Sequence, residues 1–166
     1  MRLISVFLVS LVLASLGVAS SSGRVITAHG IRLVVPADWQ RIPAASAGPV
    51  TDPRTLLVVG TRGVKPKASQ CLIAAYRLPT TAAVVVIVGW TSVASAGGGA
   101  LPGRATLKEL VAVHRPSFEC FAGRGAVAEV RLRGKPYQIN VMVGNRASKR
   151  RVKEALMVAR SFDLAR

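Results

Sequence analysis

The chain has 166 residues, 51% of them hydrophobic and 18% charged, and 23 Lys plus Arg against seven Asp plus Glu give a formal charge of +16. A chain this apolar can bury enough surface to offset its ordering entropy, which excludes intrinsic disorder, and its length is that of one domain. Two cysteines exclude a disulfide-dense miniprotein and a multi-cysteine zinc site.

Met1-Arg2 is a short positive start, followed by an apolar run from Leu3 to Val18 and the small residues Gly17-Val18-Ala19. That order is the pattern of a secretory signal peptide, predicted as a helix over residues 1–19 with cleavage after Ala19 and Ser21 as the second choice. The alternative is a retained N-terminal membrane anchor, but the run falls short of the ~20 residues a spanning helix needs. The expected organisation is therefore a signal peptide (1–19), a short polar segment (20–24) and a single domain (25–166). Removing residues 1–19 takes away one charge, Arg2, and leaves +15. The predicted location is secreted or extracytoplasmic. Outside the cytoplasm two cysteines in one small domain most often pair, so Cys71 and Cys120 are expected to form a disulfide. The alternative is a pair of free thiols, one of them reactive, but neither cysteine lies in a C-x-x-C motif.

Val25 to Val35 reads as a hairpin turning at His29-Gly30, with Ala28 opposite Ile31 and Ile26 opposite Leu33. Pro36 ends the second strand, and Trp39 is expected to fold over the end of the sheet. Residues 43–54, with Pro43, Pro49 and Pro53, read as a loop. Short strands follow at Leu56–Val59 and Cys71–Tyr76, joined by a basic connection. Ala82 to Trp90 is an unbroken, largely β-branched run, predicted as the sheet centre with both faces buried.

Thr91 to Thr106 is a Ser/Ala/Gly loop. Its glycines do not make a phosphate cradle, because Gly103 is followed by Arg104-Ala105 where a P-loop needs Lys and Ser or Thr. Leu107 to His114 is compatible with a helix presenting Leu107, Leu110, Val111 and His114, and Pro116 stops it. Residues 126–132 alternate apolar and polar, and a turn at Gly134-Lys135 would place Leu132 opposite Tyr137, Val130 opposite Ile139 and Ala128 opposite Val141. A helix is predicted from about Ala147 to Arg160, with Val152, Ala155, Leu156 and Ala159 as its apolar stripe and Phe162 packing just past its end.

A first strand running into the Pro-x-x-Trp step at Pro36–Trp39, antiparallel strands in the middle, and a final hairpin and helix closing on Ser161-Phe162 together resemble the PsbP-like superfamily. That group includes the exported LpqN-like and DcrB-like bacterial proteins. The resemblance covers most of residues 25–163 and departs from many LpqN-like proteins in lacking a lipid-anchoring Cys. It implies an α+β sandwich, an antiparallel sheet covered by helices, and a non-catalytic accessory or binding role with no catalytic residues to carry over.

Catalysis finds little support. No Gly-x-Ser-x-Gly occurs, neither His29 nor His114 has metal-ligand spacing, and the carboxylates are scattered. No metal site, cofactor or catalytic residue is predicted. His29 reads as a turn residue and His114 as the last turn of a helix. More informative are Arg146, Lys149, Arg150, Lys153 and Arg160, which fall within about one third of a helix circumference. Such a face attracts anionic envelope polymers or lipid headgroups. Nucleic acid is the weaker candidate, because aromatic residues do not interleave with the basic ones. Against a functional patch stands composition, since Arg outnumbers Lys 17 to 6 amid abundant Ala, Val and Gly. The sequence thus points to an exported, non-enzymatic protein contacting anionic surfaces. The alternative is a small-molecule or peptide binding module whose apolar pocket is lined by Trp39, Trp90 and Tyr137.

Overall fold

The computed structural model describes residues 23–45, 52–71, 75–92, 100–114, 121 and 123–166. The first hairpin forms as its alternation predicts: β1 (Arg24–Ala28) runs antiparallel to β2 (Ile31–Val35), with Ala28 opposite Ile31 and Ile26 opposite Leu33. His29 and Gly30 both take positive φ, 49° and 72°, as a two-residue turn with the right twist requires. Ile31, Leu33 and Val35 point inward and are fully buried. Pro36 accepts a hydrogen bond from the Trp39 N–H (3.1 Å), turning the chain into β3 (Trp39–Arg41).

The main sheet is built on β4 (Arg54–Thr61), β7 (Ala83–Gly89), β8 (Arg124–Leu132) and β9 (Lys135–Val143), with a small pair, β5 (Lys65–Pro66) and β6 (Tyr76–Arg77), between β4 and β7. Its order is β3-β4-β7-β9-β8, antiparallel throughout. All seven residues of β7 are buried, which bears out the central position expected of the Ala82–Trp90 run. Ala83, Val85 and Ile87 pack on one side, and Val84, Val86 and Val88 on the other.

The second hairpin keeps the predicted faces but not the predicted register. Val130 lies opposite Tyr137, Ala128 opposite Ile139 and Ala126 opposite Val141. The turn is Arg133-Gly134, whose φ values of 47° and 77° are both positive. This type I′ geometry matches the twist of the strands and lengthens both of them. Pro136 then lies where its missing N–H costs nothing: it is beyond the end of β7, and its carbonyl accepts the Trp90 N–H (3.3 Å). A two-residue shift preserves which side chains face inward, so the apolar pattern alone does not distinguish the registers.

Helix α1 (Lys149–Arg160) is capped by Ser148, whose hydroxyl accepts the Arg151 N–H (3.2 Å). It buries Ala155, Leu156, Val158 and Ala159 against one face of the main sheet, with Val152 half-buried beside them. Phe162 follows, completely buried, its ring centroid 5.3 Å from that of Tyr137. The chain ends in β10 (Asp163–Leu164), which pairs with Arg32 and Ile31 of β2, so that β1, β2 and β10 make a second sheet.

The helix-covered α+β sandwich expected from the sequence is corrected by this architecture. Of the described residues 45% are in strands and 15% in helical turns, and α1 is the only α-helix among them. Residues 107–114 do not form a second helix. Arg104–Glu109 is a 3-10 stretch, and His114 bridges to Gly125. Leu107 and Leu110 are buried while Val111 is 71% exposed. Side chains three residues apart are eclipsed in a 3-10 turn, so burying this pair needs no α-helical stripe. The far face of the sheet is covered by Ile42, Val64, Ala75 and Tyr76 from strands and connections rather than by a helix. The result, among the described residues, is a β-rich fold with one α-helix on one face.

Candidate functional site

Burial of one side of α1 fixes what the other side presents. With Ala155, Leu156, Val158 and Ala159 held in the core, Lys149, Arg150, Lys153 and Met157 are exposed, and Arg160 is half-buried at the end of the same side. The grouping of Lys149, Arg150, Lys153 and Arg160 expected from the sequence is present. Arg146 differs: it is exposed but precedes the cap Ser148, and its backbone N–H is tied to the Thr80 carbonyl at 2.8 Å.

A network of ion pairs underlies this side. Arg150 Nε lies 2.8 Å from Glu154 Oε1, and Arg151 Nη1 lies 2.7 Å from Glu154 Oε2. Arg151 also reaches Asp38 Oδ2 through Nη2 at 2.7 Å, joining α1 to the turn before β3. The hydrogen bond and the negative charge of Glu154 hold the Arg150 guanidinium above its ordinary pKa. Glu154 is buried, so its charge is compensated by two guanidiniums, while Lys149, Lys153 and Arg160 make no ion pair among the described residues. Two carboxylates against five cations leave the surface positive.

Sequence reasoning missed Arg151 and Glu154. Glu154 stands three and four residues after two arginines, a spacing that brings side chains together on a helix. The Arg151–Asp38 contact spans 113 residues and has no local signal. Between α1 and the Pro36–Asp38 turn lies a groove of about 1010 Å³, with Pro36, Ala37 and Met157 supplying apolar lining and Lys149, Arg150 and Lys153 supplying charge.

The three aromatic residues of the alternative pocket are not brought together. Trp39 and Tyr137 are buried in the core on the α1 side of the sheet, while Trp90 packs at the opposite face. Cys71 is among the described residues and Cys120 lies outside them, as do residues 1–22. No helix among the described residues is long and apolar enough to cross a membrane, and no group of three or more His, Cys, Asp or Glu among them could hold a metal ion. Asp163 is paired with Arg32 at 3.2 Å and lies 3.9 Å from Arg104, which engages it in structure. No family model and no curated protein matches this chain.

Proposed function

We propose that this is an exported, non-enzymatic protein of the cell envelope or extracellular space that binds an anionic surface through the exposed side of α1. The observation that carries this reading is the division of α1: one side is anchored in the core, and the other presents Lys149, Arg150 and Lys153 to solvent, with Arg160 half-buried at its end. A helix packed in this way displays its charges at fixed positions, so they add as a patch instead of dispersing with chain motion. The sequence accepts a cost for the arrangement, since no acidic residue lies in the first turn and three cations do. Cations at a helix N-terminus are opposed by the dipole, each by about 0.3–1 kcal/mol when exposed.

The bond is electrostatic and steeply salt-dependent, because screening shortens the reach of exposed charges to about 8 Å at physiological ionic strength. Cosedimentation with anionic vesicles and with cell-wall material across increasing salt tests it. The protein with Arg146, Lys149, Arg150 and Lys153 all changed to Gln is the comparison. Strong low-salt binding by the native protein, lost in the variant, is expected. Equal binding by both proteins, or none by either, refutes the assignment to α1.

A further inference from the structure

A cationic surface can serve a soluble polyanion or a lipid bilayer, and one residue on α1 separates the two. Met157 stands on the solvent side with 51% of its surface exposed, one turn after Lys153 and one turn before Arg160. A polyanion has no use for an apolar side chain at that place. A bilayer does: methionine is flexible, polarisable and apolar, and adapts to irregular apolar surroundings. The apolar lining also extends past Met157, across the groove to Pro36 and Ala37, with Lys149, Arg150 and Lys153 at its edge. The two carboxylates bordering that groove, Asp38 and Glu154, are both held by Arg151, which lowers their repulsion of an approaching anion.

Met157 with Pro36 and Ala37, bordered by long cationic side chains, forms a small apolar patch of the kind that docks at a membrane interface, although the main apolar stripe of α1 is packed in the core. Lys and Arg heads stay among the phosphates while their aliphatic stems follow the apolar surface. The 12 residues of α1 span about 18 Å, enough to lie along a headgroup layer and too little to cross it. Resting on the anion-binding reading above, we infer that the partner is an anionic lipid bilayer, with α1 parallel to its surface and Met157 entering the boundary between headgroups and acyl chains. The cations provide attraction and Met157 provides depth.

The test compares vesicles of mixed phosphatidylglycerol and phosphatidylcholine, vesicles of phosphatidylcholine alone, and long-chain polyphosphate, at one ionic strength. Native protein is set beside Met157→Gln and a triple variant, Lys149→Gln with Lys153→Gln and Arg160→Gln, each checked for native thermal unfolding. Met157→Gln is expected to weaken binding to the anionic vesicles about five- to tenfold and to leave polyphosphate binding unchanged. The triple variant should lose both, and native protein should ignore the neutral vesicles. In the Met157→Trp protein, bromine atoms placed high on the acyl chains should quench the indole. Unchanged vesicle affinity of Met157→Gln, an unquenched indole, or binding to polyphosphate alone overturns the bilayer inference and leaves the anionic-surface reading standing. Native-like vesicle binding by the triple variant overturns both.

Discussion

Replacing Lys149 with Glu should move stability and binding in opposite directions. Lys149 is the first residue of α1, exposed, directly after the cap Ser148, and without an ion pair among the described residues. Removing a cation from a helix N-terminus and placing an anion there each relieve about 0.3–1 kcal/mol of dipole opposition. The new Glu would also stand four residues before Lys153, the favourable orientation for a helical pair worth about 0.3–0.5 kcal/mol. Together these predict a gain of about 1–2.5 kcal/mol, or roughly 3–12 °C in Tm for a domain of this size. The same change removes two units of charge from the proposed binding surface. At about 1 kcal/mol per charge near an anionic bilayer, affinity should fall roughly thirtyfold. Urea denaturation at low salt and in 1 M salt reads the first effect, which screening should abolish (the Debye length is then about 3 Å). Vesicle cosedimentation reads the second. A variant that is less stable at low salt, or more stable but equally tight, would refute the electrostatic account of α1.

Four further outcomes are expected. Ser148→Ala removes the side-chain acceptor for the Arg151 N–H and should cost about 1 kcal/mol in urea denaturation; an unchanged midpoint would mean the cap is satisfied by water. Burial raises the pKa of both Tyr76 and Tyr137, in Tyr76 against the lowering effect of the Ala45 N–H, so folding stability is complete below the unfolded tyrosine pKa of about 10 and falls as pH rises through the folded values. The phenolate absorbance should therefore appear together with alkaline unfolding, and ionisation near pH 10 with the fold intact would contradict this. Burial works upward on the Asp163 carboxyl, but hydrogen bonds from Arg32 and the Leu164 N–H and the charges of Arg104 and Arg32 outweigh it, so its pKa lies below the ordinary range. Its contribution is present above about pH 4 and lost as pH falls through the folded value, and Asp163→Asn should flatten that acid limb of a stability–pH curve. Finally, thiol titration of the unreduced, denatured protein should find no free cysteine, as the expected Cys71–Cys120 bridge requires, and two free thiols would refute the bridge.

What the sequence makes legible here is set by the range of the forces involved. The β7 run is identifiable because a strand covered on both faces must be apolar at every position, and the first hairpin because period-two alternation meets a His-Gly turn. The second hairpin shows the limit. Gly134 can be the first residue of one turn type or the second of another, and both keep Ala128, Val130, Ile139 and Val141 inside. Backbone twist, which the apolar pattern does not encode, decides between them. Leu107 and Leu110 suit an α-helix and a 3-10 turn equally, so their segment is ambiguous in sequence. Ile42, Val64 and Tyr76, which cover the far face of the sheet, lie in stretches too short and polar to reveal a core role. The cationic side of α1 follows from helical periodicity, whereas the arginine that links it to Asp38 depends on a tertiary approach.

The pairing of β10 with β2 has a consequence for the timing of folding. Arg32 and Asp163, which meet across this join, are separated by 131 residues, so the second sheet cannot be completed until nearly the whole chain has emerged. The β1–β2 hairpin can form locally, but its apolar side, Ile31, Leu33 and Val35, shares a cluster with Leu156 and Phe162, which are made late. Long loop closure makes such a topology slow to assemble. Until Leu156, Phe162 and β10 are in place, Ile31, Leu33 and Val35 therefore lack the partners they have in the native cluster.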